Sequence, residues 1–223
     1  AGEILGIAGV DGNGQSELID AITGLRKVQS GKITVNEKDI TNKTPLEIID
    51  NQVASIPQDR QKRGLVLDFD IAENMILSLQ NKKEFSKKGF LKYAEVYNFS
   101  KELIEKFDVR PKEERKIARD LSGGNQQKVI IAREVTKEPD LLIAAQPTRG
   151  LDVGAIEYVH KSLVEQRDNG KAILLVSLEL DEVMNLADRI AVIYEGKIVD
   201  IVNAKDADIE RLGLMMAGGG EHE

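Results

Sequence analysis

Residues 9–18, GVDGNGQSEL, have the glycine spacing of a loop that binds phosphate. Such loops follow the pattern G-x-x-x-x-G-K-[ST]; Gly9, Gly14 and Ser16 match it, while Gln15 stands where the lysine belongs. Glycines let backbone N–H groups converge on an anion, and a helix N-terminus adds positive potential. The hydroxyl of Ser16 stands where a Mg²⁺ ligand belongs, but no lysine charge faces the terminal phosphates. The predicted nucleotide contacts of this loop are Gly9, Asp11, Gly12, Asn13, Gly14, Gln15, Ser16 and Glu17.

Two other interpretations of this loop compete with phosphate binding. A dinucleotide fingerprint that starts at Gly12 needs a glycine at position 17, which is Glu17, so that interpretation fails. A glycine- and asparagine-rich turn from strand to helix, with no ligand, stays open on this loop alone.

The loop lies in a chain that alternates predicted strands and helices. Short, continuously hydrophobic runs predict strands buried on both faces of a mostly parallel sheet, at 3–9, 52–57, 140–145, 171–177 and 189–194. Helical patterns occur at 16–23, 154–168 and 179–187, and two of them end before Gly24 and Gly170. Residues 31–40 and 196–203 are typical of edge strands. This alternation predicts an α/β fold.

Residues 71–137 interrupt that alternation with helical patterns and no clear strand. We interpret them as a helical subdomain inserted into an α/β core formed by residues 1–70 and 138–223. The charged stretch KKEFSKKG, residues 82–89, predicts a solvated loop within that subdomain.

Composition limits the classes of function. The 223 residues carry a net charge of −7, which argues against nucleic acid as a partner. There is no cysteine, so disulfides and thiolate chemistry are excluded. No run of 18 apolar residues predicts a membrane span. The chain starts on a strand without an initiator Met, so we expect a single domain that is a fragment lacking upstream strands.

A second motif, LSGGNQQKV at residues 121–129, resembles the signature motif of the ATP-binding cassette (ABC) family. Helix N-terminal N–H groups and a hydroxyl there could face a γ-phosphate. The alternative is an ordinary helix N-cap, with Ser122 as the capping residue. We expected no structural need for the two consecutive glycines of this motif. The resemblance implies that the motif is offered across an interface through Leu121, Ser122, Gly123, Gly124, Asn125, Gln126 and Gln127.

Further motifs of the family follow in order, so the resemblance covers essentially the whole chain. Residues 140–155 are similar to the Walker B strand and D-loop, the latter with Gly150, Leu151 and Asp152. Gln58 stands where the family has its Q-loop glutamine. The chain resembles most the second half of tandem ATPases that serve simple-sugar and nucleoside importers, and within them the nucleoside branch. That branch pairs with a basic-membrane-protein-type binding lipoprotein.

Four positions at which the family carries its hydrolytic groups hold other residues here. The lysine is Gln15, the Walker B Asp-Glu pair is Ala145 and Gln146, and the switch histidine is Leu178. His160 and His222 match no catalytic position, and we expect both to be solvated. Glu→Gln is a common laboratory change, but four replacements together favour natural divergence. We therefore expect negligible hydrolysis at this loop, since a general base alone contributes about 10²–10⁴-fold.

The resemblance implies a hydrolytically degenerate half that donates its signature to the ATP site of a partner half. It implies weak ATP or ADP binding, with Mg²⁺ held only by Ser16 and Gln58. The implied partners are that second nucleotide-binding half, transmembrane permease subunits and, indirectly, an extracytoplasmic solute-binding lipoprotein. The implied location is peripheral, on the cytoplasmic face of the membrane. Alternatives are a self-sufficient ATPase, a non-transport ABC protein and a scaffold that binds no nucleotide.

Overall fold

The computed structural model describes residues 1–219. Its strands are Glu3–Ala8 (β1), Thr34–Val35 (β2), Lys38–Asp39 (β3), Val53–Ile56 (β4), Ser86–Lys87 (β5), Phe90–Leu91 (β6), Leu141–Ala145 (β7), Ala172–Val176 (β8), Arg189–Tyr194 (β9) and Lys197–Asn203 (β10). Its α-helices are Gln15–Ile22 (α1), Pro45–Asp50 (α2), Ile71–Met75 (α3), Tyr93–Lys106 (α4), Gly123–Thr136 (α5), Val153–Asp168 (α6), Leu180–Leu186 (α7) and Ile209–Met216 (α8). The predicted α/β class is confirmed.

The central sheet has the order β10-β9-β1-β8-β7-β4. Strand β1 lies parallel to both β8 and β9, and β7 lies parallel to β8. Strand β10 pairs antiparallel with β9 and closes one edge, as residues 196–203 predicted. Because β1, β7 and β8 run the same way, their carboxyl ends meet at one edge of the sheet, which is where open α/β sheets bind ligands.

The residues group into two compact units, which are described separately. The core unit contains residues 1–55, 139–146 and those from His160 onwards, and the helical unit contains residues 56–138 and 147–159. The domain boundaries drawn from the sequence stay a prediction.

The core unit is built on the continuously apolar strands. Ile7 of β1, Ile143 of β7 and Val176 of β8 belong to one buried cluster. Helix α2 packs Ile48 into the same cluster and starts with a capping box, in which Thr44 accepts a hydrogen bond from the Glu47 N–H and donates its own N–H to Glu47. The hydrophobic pattern and the local capping signal therefore specify the same arrangement.

The helical unit corrects one sequence interpretation. Residues 82–89 are predicted to be a solvated loop, and residues 82–84 and 87–89 are indeed exposed. However, β5 and β6 form a hairpin there, and Phe85 is buried in a cluster with Ala72, Ile76 and Val96. The ring of Phe85 lies 4.9 Å from that of Phe99. The burial of Phe85 could not be predicted from the sequence, because four lysines surround it and one buried aromatic residue gives no periodic signal.

A buried ion cluster on α5 was not predicted. The Glu134 carboxylate accepts hydrogen bonds from Arg133 (2.7 Å) and from Lys137 (2.8 Å), and all three side chains are nearly inaccessible to solvent. Arg133 also donates to the carbonyl of Gly64 at 2.9 Å. Burial disfavours ionisation of Glu134, yet the charges of Arg133 and Lys137 hold its pKa below the ordinary value.

Within residues 1–219 no helix combines the length and the apolar character that a membrane span requires.

Candidate functional site

The predicted phosphate loop connects the end of β1 to the start of α1. Gly14 caps α1 in the left-handed conformation, with φ of 104°, and its carbonyl accepts the first helical hydrogen bond from the Leu18 N–H at 3.0 Å. The N–H groups of the first helical turn have no carbonyl partner within a helix. Unpaired N–H groups at the start of a helix suit an anion.

Close packing under the loop requires glycine at its first position. A Cβ on Gly9 would lie 2.6 Å from Cγ2 and 2.7 Å from the carbonyl oxygen of Ile193 on β9. That backbone oxygen cannot move aside without disturbing the sheet. Gly9 therefore sets how closely the loop approaches the strand.

Asn13 fastens the loop to the turn between β9 and β10. Its Oδ1 accepts a hydrogen bond from the N–H of Glu195 (2.8 Å), and its carbonyl accepts one from the N–H of Gly196 (3.0 Å). Its side-chain amide also donates to the carbonyl of Val10 at 3.0 Å. The sequence predicted Asn13 as a nucleotide contact, and the structure gives its side chain a role inside the protein.

Gln15 turns its side chain into the loop. Its Nε2 donates a hydrogen bond of 2.9 Å to the carbonyl of Val10, and the residue is buried. The neutral amide therefore does not extend outward as a charged lysine would for the terminal phosphates.

The sheet brings the other three positions that differ from the family pattern to the same edge as the loop. Ala145 ends β7 and is buried, and it pairs in register with Val176 at the end of β8. Gln146 follows in a left-handed conformation, with φ of 42°, and its N–H donates to the Val176 carbonyl at 2.7 Å. Leu178 comes two residues after β8. The predicted positions therefore lie together, and neither Ala145 nor Leu178 can transfer a proton or ligate a metal.

The expectation that His160 is solvated is wrong. Its Nε2 lies 2.8 Å from Oε1 of Glu182 on α7, and its side chain is only 28% exposed. The partner residue was invisible in the sequence because it lies 22 positions away, on another helix. His222 lies outside the described residues.

The structure describes both residues that the sequence predicts as Mg²⁺ contacts. Within residues 1–219 no group of three or more His, Asp or Glu side chains could hold a metal ion. Ser16 is exposed at the first turn of α1 and keeps an available hydroxyl. Gln58 belongs to the helical unit. Ser16 and Gln58 as Mg²⁺ contacts therefore stay a prediction.

In the helical unit, the signature residues open α5 with Ser122 as the N-cap. Its Oγ accepts hydrogen bonds from the Asn125 N–H at 3.4 Å and from the Asn125 side-chain amide at 2.9 Å. Ser122 is exposed. Capping by Ser122 was the alternative interpretation of this motif; it is correct, and it leaves the hydroxyl at the surface.

Contrary to our expectation, Gly124 has a packing reason, whereas the group beside Gly123 is the flexible end of an arginine side chain. A Cβ on Gly124 would lie 3.0 Å from Cβ of Ala155, and one on Gly123 would lie 2.9 Å from Nη2 of Arg60. Arg60 itself donates from Nη1 to the carbonyl of Arg149 at 2.7 Å. Gly124 therefore allows the start of α5 to lie against the start of α6, and the two glycines do not by themselves exclude a scaffold.

The glutamines that follow are structural within the helical unit. Gln126 donates to the carbonyl of Ala118 at 3.1 Å, and Gln127 donates to that of Pro147 at 2.8 Å; both are buried. Leu121 is also buried. The predicted interface role therefore rests on Ser122 and the glycines, because these other side chains are not free to meet a partner.

The predicted D-loop lies at the start of α6. Asp152 Oδ1 accepts a hydrogen bond from the Ala155 N–H at 2.9 Å, so Asp152 caps that helix. Gly150 takes a left-handed conformation, with φ of 66°, and Leu151 donates its N–H to the carbonyl of Thr148. A turn of this kind could not be inferred from the residues Gly-Leu-Asp alone.

The sequence matches the ABC transporter family over residues 1–149 of the 223. The chain belongs to this family. ABC domains bind ATP and ADP with Mg²⁺, which agrees with a phosphate loop at the carboxyl edge of the sheet.

Curated relatives of this ABC domain are import proteins. It is 60% identical over its full length to the guanosine import ATP-binding protein NupO of Bacillus subtilis (strain 168), covering 44% of that protein. It is 54% identical over its full length to the nucleoside import ATP-binding protein NupA of Lactococcus lactis subsp. cremoris (strain MG1363), again covering 44%. Over 99% of its length it is 46% identical to the glucose import ATP-binding protein TsgD13 of Haloferax volcanii, covering 40%. The chain thus spans less than half the length of these relatives.

Solved ABC cassettes share the fold. A structure of MJ1267, an ATP-binding cassette of an ABC transporter, aligns with a TM-score of 0.77 at 26% identity, over 97% of this chain and 85% of that one. The ADP conformation of MJ1267 aligns with a TM-score of 0.73 at 25% identity, over 97% and 84%. The mostly parallel sheet and the helical insertion predicted for this ABC domain are therefore confirmed.

Proposed function

We propose that this chain is a nucleotide-binding domain of an ABC importer for nucleosides or simple sugars. The relatives named for guanosine and nucleoside import support nucleosides first, at 60% and 54% identity. Sugars are the second candidate substrate class, because the relative named for glucose import is 46% identical to this chain. The solute itself would contact the permease and the solute-binding lipoprotein, not this domain.

Within such an importer, we propose that the chain is the half that does not hydrolyse ATP at its own loop. This proposal rests on the kinds of side chain that lie at the carboxyl edge of the sheet. Gln15 is buried and bonded to Val10, Ala145 is an apolar strand end, and Leu178 has no polar atom in its side chain. The side chains at these three positions supply neither the positive charge, nor the metal-bound carboxylate, nor the proton transfer that phosphoryl transfer from ATP uses.

The loop keeps the ability to bind phosphate weakly. The backbone N–H groups at the start of α1 would hold phosphate oxygens, and the exposed Ser16 hydroxyl would add one contact. Mg²⁺ supplies charge neutralisation of the phosphates where it is bound, but here only Ser16 and Gln58 stand at its positions. We expect weak binding of ATP or ADP with little dependence on Mg²⁺.

The part of the chain suited to a partner is the start of α5. Ser122 is exposed, and the N-terminal end of a 14-residue helix lies beside it. A hydroxyl and free N–H groups in this position complement a phosphate oxygen brought by another nucleotide-binding half. The chain would thus complete the partner's ATP site with Ser122, Gly123 and Gly124, while Asp152 shapes the neighbouring turn.

The remaining partners follow from this role. The domain would attach to transmembrane permease subunits at the cytoplasmic face of the membrane, and through them would act with an extracytoplasmic solute-binding lipoprotein. The partner half is proposed to lie in the same polypeptide, in line with relatives of more than twice this length.

The test is ATP turnover by the domain assembled with its partner half and permease subunits in proteoliposomes. Ser122→Ala should lower the turnover about 10- to 100-fold, the value of a hydrogen bond to a charged group. Ser86→Ala, on the β5–β6 hairpin of the same unit, is the matched control and should leave turnover unchanged. Unchanged turnover in Ser122→Ala would contradict the proposal.

A further inference from the structure

We infer that Asn125 fixes the hydrogen-bonding direction of the Ser122 hydroxyl, so that this hydroxyl can only donate outward, to a phosphate oxygen of a nucleotide held by the partner half. Asn125 is thereby a positioning residue for that site. The inference rests on the proposed function and specifies how the signature recognises its ligand.

The orientation of the Asn125 amide is set by a backbone group. The N–H of Arg110 donates a hydrogen bond of 2.7 Å to Oδ1 of Asn125. A backbone N–H can donate but cannot accept, so the oxygen of the amide must face Arg110. The NH₂ group of Asn125 must then face Ser122, which removes the usual ambiguity of an amide side chain.

The two hydrogen bonds that Ser122 receives saturate its oxygen. Oγ accepts from Nδ2 of Asn125 at 2.9 Å and from the Asn125 backbone N–H at 3.4 Å. A hydroxyl has two acceptor lone pairs and one hydrogen to donate. Both lone pairs are used, and among residues 1–219 the hydroxyl has no acceptor. Its hydrogen is therefore left for an acceptor outside the chain, on the exposed side of Ser122.

Arg110 is itself linked to α5 through Asp108. Its Nε donates to Asp108 Oδ1 at 2.8 Å, and Asp108 in turn binds Lys128 of α5, whose Nζ lies 3.1 Å from Oδ2 and 2.8 Å from the carbonyl. The hydrogen bond from Lys128 lowers the pKa of Asp108, so this carboxylate is ionised at neutral pH. The segment that orients Asn125 is thus tied to the next turn of the same helix.

A cation at the same place indicates that the outside acceptor is anionic. Nη2 of Arg60 lies 2.9 Å from the point that a Cβ on Gly123 would occupy. Nη1 of Arg60 is bonded to the carbonyl of Arg149, but its buried Nε has no hydrogen-bond partner among residues 1–219. A guanidinium, a helix N-terminus and an outward O–H together favour phosphate over a neutral acceptor.

The experiment is a double-mutant cycle on ATP turnover by the assembled complex, at saturating ATP. Asn125→Asp keeps the size of the side chain and the hydrogen bond from Arg110, but it replaces NH₂ with an oxygen that accepts. The Ser122 hydroxyl then donates inward, and turnover should fall about 10- to 100-fold. In a Ser122→Ala background the same change should alter turnover less than about twofold.

Two control variants separate the effect of the hydroxyl direction at Ser122 from the effects of added charge and of impaired folding. Asn98→Asp, exposed on α4, adds the same charge elsewhere in the helical unit and should not change turnover. Asn125→Ala lets the hydroxyl rotate without adding charge; its loss should be smaller than that of Asn125→Asp and should also vanish in the Ser122→Ala background. If Asn125→Asp does not fold, as judged by urea unfolding, the Asn125→Ala cycle decides.

The outcomes distinguish the two proposals. A loss in Asn125→Asp that persists unchanged in the Ser122→Ala background, or no loss in any Asn125 variant while Ser122→Ala is impaired, overturns this inference alone. Unimpaired turnover in Ser122→Ala overturns the proposed function itself.

Discussion

The side-chain amide of Gln15 donates a hydrogen bond of 2.9 Å to the carbonyl of Val10, within the loop that Gln15 closes. The carbonyl of Val10 also accepts from Asn13, through its backbone N–H and its side-chain amide. The loop therefore supports its own shape with neutral groups, and a bound phosphate would meet only backbone N–H groups and the Ser16 hydroxyl.

Gln15→Lys should tighten ATP binding about 10- to 100-fold without producing turnover. A lysine charge would contact the phosphates, and charged hydrogen bonds contribute about 1.5–3 kcal/mol. Ala145, Gln146 and Leu178 would still supply no base and no metal ligand. Calorimetry and phosphate release on the same sample measure the two effects. Gln52→Lys, exposed in the same unit, is the matched control; substantial turnover in Gln15→Lys would show that the other three positions are not limiting.

Gly9→Ala should lower the free energy of unfolding by about 1–3 kcal/mol, because its Cβ would overlap Ile193. Gly213→Ala is the matched control: a Cβ there meets no atom within 4 Å, and the residue lies in α8. The control should stabilise the protein by about 0.5–1 kcal/mol, through helix propensity. Urea unfolding measures both, and equal effects would mean that the loop does not approach β9 as described.

Glu134→Gln should destabilise the protein by about 3–5 kcal/mol, because it leaves Arg133 and Lys137 buried without a counter-charge. Glu102→Gln, exposed on α4, should change stability little. Urea unfolding near about pH 7 gives the difference.

The wild type and Glu134→Gln also test how the free energy of unfolding depends on pH. The folded state lowers the pKa of Glu134 below its ordinary 4.5, because the attraction of Arg133 and Lys137 exceeds the cost of burial. A carboxylate with a lowered pKa contributes its full stabilisation above pH 4.5 and loses it as the pH falls through the lower folded pKa. The stability difference between the wild type and Glu134→Gln should therefore shrink below pH 4.5. A difference that is constant or grows on acidification would contradict the ionised cluster.

Asp152→Ala should lower the free energy of unfolding by about 0.5–2 kcal/mol, the typical cost of a lost helix cap, because the Ala155 N–H loses its acceptor. Asp152→Asn keeps an oxygen in the same place and should retain most of that stability. If both variants keep the wild-type stability, the cap is not formed in solution.

The sheet and the position of the loop could be predicted from the sequence, because their signals are local. Continuously apolar runs produced β1, β7, β8 and β9 within one or two residues, and Gly24 and Gly170 take the left-handed conformation expected after helices. Once the strands are parallel, the ends of β1, β7 and β8 must meet, and the loop and positions 145, 146 and 178 lie at those ends.

What escaped prediction depends on contacts between residues distant in sequence. Gln126 and Gln127 belong to the signature by their place in the chain. Their side-chain amides, however, donate hydrogen bonds inside the protein, to the carbonyls of Ala118 and Pro147. The partner of His160 lies on α7, and the reason for Gly124 is a methyl group on α6. Residue type alone does not reveal whether a polar side chain faces a ligand or another part of the protein.

The central claim is that this chain's own loop binds nucleotide weakly and does not hydrolyse it. Its most direct test is titration of the purified chain with ATP by calorimetry, with and without Mg²⁺, together with phosphate release from the same sample. We expect weak binding that Mg²⁺ hardly changes, and no phosphate release above background. Tight binding that requires Mg²⁺, with sustained phosphate release, would contradict the claim and would assign the chemistry to this loop.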